Sequence, residues 1–79
     1  MMEKAITPKF KADLYNCSAL MCANRLEFAD AVVQLRSALV YCPDDIVMRY
    51  NMAYCQYKIK SYMNALTNLE FLNKTANIP

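Results

Sequence analysis

Seventy-nine residues allow one small domain, and 57% of them are hydrophobic, with three Pro, four Cys and neither Gly nor His. Without glycine few positions take positive φ cheaply, which excludes turn-rich β folds and points to helices joined by short connections. A net charge of +2, spread over nine basic and seven acidic side chains, leaves no continuous basic patch for a phosphate backbone, so nucleic acid is excluded as a partner.

The first helix opens at Thr7-Pro8, an N-cap oxygen followed by a proline at the first helical position, where its missing N–H costs nothing. Lys4, Lys9 and Lys11 sit around this start and read as a solvated helix end. The helical pattern runs to about Asn24, with Leu14, Tyr15, Cys17, Ala19, Leu20, Met21, Cys22 and Ala23 wrapping much of its circumference, before Asn24-Arg25-Leu26-Glu27 interrupts it.

The second helix carries Phe28, Ala31, Val32, Leu35, Ala38, Leu39 and Cys42 at i, i+3, i+4, i+7 spacing, with Glu27, Asp30, Gln34 and Ser37 opposite. Pro43 ends it, and Asp44 is expected to cap the next helix. The third helix, about 45–59, is apolar nearly all round, with Met48, Met52, Cys55 and Ile59 on the side expected to be buried. Ser61 is the expected N-cap of a fourth helix whose apolar face is Tyr62, Ala65, Leu66, Leu69 and Leu72; no structure is expected beyond Asn73.

No feature carries chemistry. The absence of His removes the commonest general base and metal ligand. Cys17 and Cys22 stand five apart on one helix and do not share a face, no Cys-x-x-Cys occurs, and Asp44-Asp45 is better explained by capping than as a carboxylate pair. No glycine-rich phosphate loop exists, so neither enzyme activity nor a metal or other cofactor is expected. With no apolar stretch of membrane-spanning length and no secretory leader, the four cysteines read as buried free thiols of a cytoplasmic protein.

The helix pairs repeat. Phe28 and Tyr62, Ala31 and Ala65, Leu35 and Leu69, and Ala19 and Ala53 are each thirty-four residues apart. An aromatic, a small residue three later and a large apolar residue four beyond that suit a tightly crossed second helix, because the alanine lets the backbones approach. In period and in these positions the chain resembles the tetratricopeptide family. Counting from residue 12, the family's first-helix aromatic falls on Tyr15, its small residue on Ala19, its second-helix trio on Ala31, Leu35 and Ala38, and its closing proline on Pro43. Met52, Ala53, Tyr62, Ala65 and Leu69 match in the second repeat. The pattern departs at Arg49, which stands for the aromatic, at Ser18, which stands for a leucine, and in the missing turn glycines. A four-helix bundle with two alanine-lined hairpins is the alternative.

The resemblance implies an all-α fold of two tandem helix hairpins, four antiparallel helices in a short α-solenoid. Residues 1–11 form a lead-in and helix start, 12–45 and 46–74 the repeats, and 75–79 a tail. It also implies a concave groove lined by the first helix of each hairpin: Asp13, Asn16, Leu20, Ala23 and Asn24 from one, Val47, Tyr50, Tyr54, Tyr57 and Lys58 from the other. Tyr50, Tyr54 and Tyr57 form a single stripe. Of the family's carboxylate clamp for acidic chaperone tails only Asn51 is matched; Asn16 and Leu20 replace the other residues, which favours an apolar ligand.

The expected function is therefore that of a small cytoplasmic chaperone or adaptor. Leu20, Tyr50, Tyr54 and Tyr57 would contact a partner's amphipathic helix, and Asn16, Asn51 and Lys58 would set register at the rim. Its size and aromatic groove resemble the chaperones of type III secretion needle or translocator subunits. Two repeats without a capping helix also leave Met63 and Phe71 as a second apolar interface, to be covered by a companion subunit or a second copy. The rival reading is a structural subunit, or a fragment of a longer array, in a larger complex.

Overall fold

The structure, a computed structural model, describes residues 6–75 and contains four helices: α1 (Pro8–Asn24), α2 (Phe28–Tyr41), α3 (Ile46–Lys58) and α4 (Tyr62–Thr75). The fold is all-α. Packing runs α1 on α2, α2 on α3 and α3 on α4, giving two helix hairpins joined along α2·α3. The shortest extent of the Cα trace is 16 Å, the thickness of two helix layers whose axes lie about 8–10 Å apart. No described helix is long and apolar enough to cross a membrane.

At α1 and α3 the N-caps are short polar residues. The Thr7 hydroxyl accepts from the Phe10 N–H at 3.1 Å, with Pro8 following it. At α3 the cap is Asp45, not Asp44: its carboxylate accepts from the Met48 N–H at 3.0 Å. Two adjacent aspartates compete for one cap, and Asp45 holds the extended backbone (φ −69°, ψ 120°) that the position requires. The other end of the chain also differs from expectation, because α4 continues through Lys74 to Thr75. Of the expected tail over 75–79, Thr75 belongs to α4 and residues 76–79 lie outside the described residues.

The helix C-termini of α1 and α3 close alike. Leu26 (φ 63°) and Lys60 (φ 66°) are left-handed, and neither is glycine. The N–H of Glu27 donates to the Cys22 carbonyl at 2.9 Å and that of Leu26 to Ala23 at 2.9 Å. Thirty-four residues on, Ser61 donates to Gln56 at 2.8 Å and Lys60 to Tyr57 at 3.0 Å. This paired bonding satisfies the last carbonyls of each helix and turns the chain into its hairpin. The repeat thus extends to backbone conformation, and Leu26 and Lys60 adopt it despite their Cβ atoms.

The core is built from small and medium side chains. Ala12, Ala19, Ala31 and Ala38 are buried at the helix crossings, with Val32, Leu35, Met48, Met52 and Cys55 between them. Leu35 and Met48 are the largest fully buried residues. In α4 the buried face is Ala65, Asn68 and Leu72, whereas Tyr62, Leu66 and Leu69 are exposed. Apolar spacing marked all of the latter as core; among the described residues no helix lies over them. Ile59, expected under α3, is likewise exposed. All four cysteines are free, but only Cys22 and Cys55 are buried; Cys42 is intermediate and Cys17 exposed.

Candidate functional site

The space between the hairpins on the α1/α3 side is a groove of about 510 Å³. Its walls are Leu20, Ala23 and Asn24 from α1 and Tyr50, Asn51 and Tyr54 from α3; Phe28 and Leu26 close one end, and Ala19, Leu35 and Cys55 form the floor. Helical spacing places these residues: Tyr50 and Tyr54 stand one turn apart on α3, and on α1 Leu20 precedes Ala23 and Asn24 by three and four. The lining is mainly apolar with polar groups at its rim, the usual make-up of a helix-binding groove.

Two contacts fix the walls. The Asn51 side-chain amide donates to the Asn16 Oδ1 at 3.2 Å, tying α3 to α1. The Tyr54 ring meets Phe28 edge to face at 6.1 Å, and the Lys58 ammonium lies 5.4 Å from the Tyr54 ring centre and 6.0 Å from that of Phe28. The cation over two ring faces keeps Tyr54 in place while the ring stays 46% exposed. Beneath it, burial pushes the Cys55 thiol above its usual pKa, holding the sulfur neutral.

The tyrosine stripe does not face one groove. Tyr50 and Tyr54 form a ridge shared with a second, shallower groove of about 300 Å³ at the α4 end of the stack, and Tyr57 belongs to that second groove alone. Tyr57 packs there against Tyr62 at 5.9 Å, beside Ala53, Ala65, Leu66 and Leu69. Of the other residues singled out from sequence, Asn16 reaches the main groove through Asn51, while Val47 and Met63 are exposed and line neither groove. Phe71 is half-buried, with the Arg49 guanidinium 4.3 Å above its ring.

Arg49 and Asn68 were the polar residues whose role sequence did not reveal. Arg49 donates from Nε to the Pro43 carbonyl at 3.0 Å and from Nη1 to Asn68 Oδ1 at 2.9 Å. The buried Asn68 amide in turn donates to buried Gln56 Oε1 at 2.7 Å and to the Asn64 carbonyl at 3.2 Å. This chain of bonds locks the α2–α3 turn and α3 to α4, and no buried side-chain polar atom among the described residues lacks a partner. In the first hairpin the corresponding place belongs to Tyr15, which stacks on Tyr41 at 6.2 Å.

No three His, Cys, Asp or Glu side chains among the described residues are grouped to hold a metal ion. Comparisons with protein-family models, curated proteins and solved structures find no match to this chain.

Proposed function

We propose that this chain is a protein-interaction module, a small cytoplasmic chaperone or adaptor of tetratricopeptide type, that holds an amphipathic helix of a partner in the groove between α1 and α3. Type III secretion needle or translocator subunits are the partner class to which the resemblance points. The observation that carries the reading is the groove of about 510 Å³ with Leu20, Tyr50 and Tyr54 exposed on its walls and Asn24 and Asn51 among its polar lining. Rigid aromatic rings give large contact area at small conformational cost, and polar groups at the edge set the helix register.

Titration of the partner co-purified from the native host, and of its isolated helix, tests this. Tyr54→Ala should weaken binding by about 2 kcal/mol or more, as central aromatic anchors do, with helicity unchanged because α3 is held by Met48, Met52 and Cys55. Lys58→Glu should act less strongly and in a salt-dependent way, through the loss of its cation over Tyr54. Normal binding by Tyr54→Ala together with loss of binding in Phe71→Ala would discard the groove. The exposure of Tyr62, Leu66 and Leu69 favours a second reading, in which the chain is a structural subunit joined to a neighbour through the end of its stack.

A further inference from the structure

The junction between the two hairpins supplies a template for what covers the end groove. There, Met48, Met52 and Cys55 of α3 pack into one cluster with Ala19, Ala23, Phe28 and Leu35 of the first hairpin. Thirty-four residues beyond that receiving set stand Ala53, Tyr57, Tyr62 and Leu69, the walls of the end groove. Thirty-four residues before the inserted set stand Leu14, Ser18 and Met21 on α1. Leu14 and Met21 lie open at the opposite end of the stack, 55% and 60% exposed with half-buried Ser18 between them, as Leu66 is 48% and Leu69 45% exposed at the groove.

We propose that the end groove takes a second copy of this chain, whose α1 ridge of Leu14, Ser18 and Met21 seats against Tyr57, Tyr62, Leu66 and Leu69 as α3 seats on the first hairpin. Both halves of the contact are present on one molecule, and their sizes compensate. Where the internal junction inserts Met52 the ridge offers the smaller Ser18, and where the internal junction receives on Ala23 the groove offers the larger Tyr57. Over the span equivalent to α3, α1 is already helical, beginning at Pro8, one turn before the counterpart of Asp45. Such a contact joins unlike faces and does not close on itself, so copies add head to tail along the direction of the existing stack. This inference concerns a surface at the end of the stack that meets the groove between α1 and α3 only along the Tyr50 and Tyr54 ridge.

Sedimentation equilibrium on the purified chain, with no partner present, tests it. The average mass of the wild type should rise with concentration from 9.1 kDa past that of a dimer. Leu14→Glu/Met21→Glu removes the ridge and Leu66→Glu/Leu69→Glu the groove; each alone should stay monomeric with its helical circular dichroism intact, because all four side chains are exposed. Mixed in equal amounts, the two variants should form a 1:1 dimer and grow no further, since each retains the one face that the other lacks. If a charged pair costs helicity, Leu14→Ala and Leu66→Ala replace it, each weakening association about tenfold or more.

A wild type that stays at 9.1 kDa up to about 1 mM, a concentration that populates even weak millimolar association, overturns the proposal and leaves the end groove to a different protein. A ridge variant that still pairs with itself also overturns it, because the contact then joins two like faces. A mixture that remains monomeric does the same. Tyr54 borders both grooves, whereas Leu20 lines the main groove alone; Leu20→Ala should weaken partner binding and leave self-association unchanged, so the two readings fail separately.

Discussion

Replacing Leu26 by glycine should stabilise the protein, although it removes a large apolar side chain. Leu26 sits at φ 63° and is 76% exposed, so its side chain contributes little burial while its Cβ crowds the following carbonyl. The left-handed conformation costs a non-glycine residue about 1–2 kcal/mol. Glycine removes that strain but gives the unfolded chain extra freedom, about 0.5–1 kcal/mol in the other direction. The difference is a gain of roughly 0.5–1 kcal/mol, or about 2–8 °C in midpoint for a domain of this size. Arg25 and Glu27, joined across the turn at 3.1 Å, remain to frame it. Thermal and urea unfolding followed by circular dichroism on Leu26→Gly, Leu26→Ala and Lys60→Gly measure the effect. Leu26→Ala keeps a Cβ and should gain nothing, whereas Lys60→Gly should gain as much as Leu26→Gly, since Lys60 holds φ 66° in the equivalent turn. If Leu26→Ala stabilises as strongly as Leu26→Gly, the benefit comes from removing an exposed apolar group, and the strain argument is wrong.

Ala31 and Ala65 are both buried in the second helix of their hairpins. Ala→Leu at either should overpack the crossing and lower stability by about 1–3 kcal/mol in urea titrations; unmoved midpoints for both would refute the close approach. The Cys55 thiol, whose folded pKa is raised by burial, should make stability fall with alkalinity. Its neutral form is favoured in the folded state, so the contribution is fully present below the ordinary thiol pKa of about 8.5. It is lost as pH rises from there through the raised folded value. Cys55→Ala should flatten that part of the melting-temperature profile, and a thiol reagent should label exposed Cys17 long before Cys55.

Helix positions and pairing were legible in the residues because the signals are local. Thr7-Pro8 fixes one start, Pro43 one stop, and a thirty-four-residue offset relates the hairpins. The choice between Asp44 and Asp45 was not, since both have the chemistry of a cap and only backbone conformation separates them. The face of α4 failed for a different reason. Tyr62, Leu66 and Leu69 carry the spacing of a core stripe, but burial depends on a neighbouring helix, which one helix's own sequence does not encode. Asn68 is the converse: a polar residue is buried because Arg49 and Gln56, two turns apart on α3, converge on it. Of the groove, Leu20, Tyr50, Asn51 and Tyr54 follow from register, as does Lys58 one turn beyond Tyr54, while Phe28 meets Tyr54 through tertiary packing.

Because each helix packs on the one that follows it in the chain, the loops closed during folding are short, and their closure entropy is small. Chains dominated by such local contacts fold in microseconds to milliseconds. Either hairpin can form first, with α2·α3 docking completing the structure, so the Leu35–Met48 seam is where the rate should respond most to mutation. A domain organised this way re-forms quickly after each opening. Local unfolding of α4 exposes little of the α1–α2 core, which makes the end of the stack the first region to exchange its amide hydrogens.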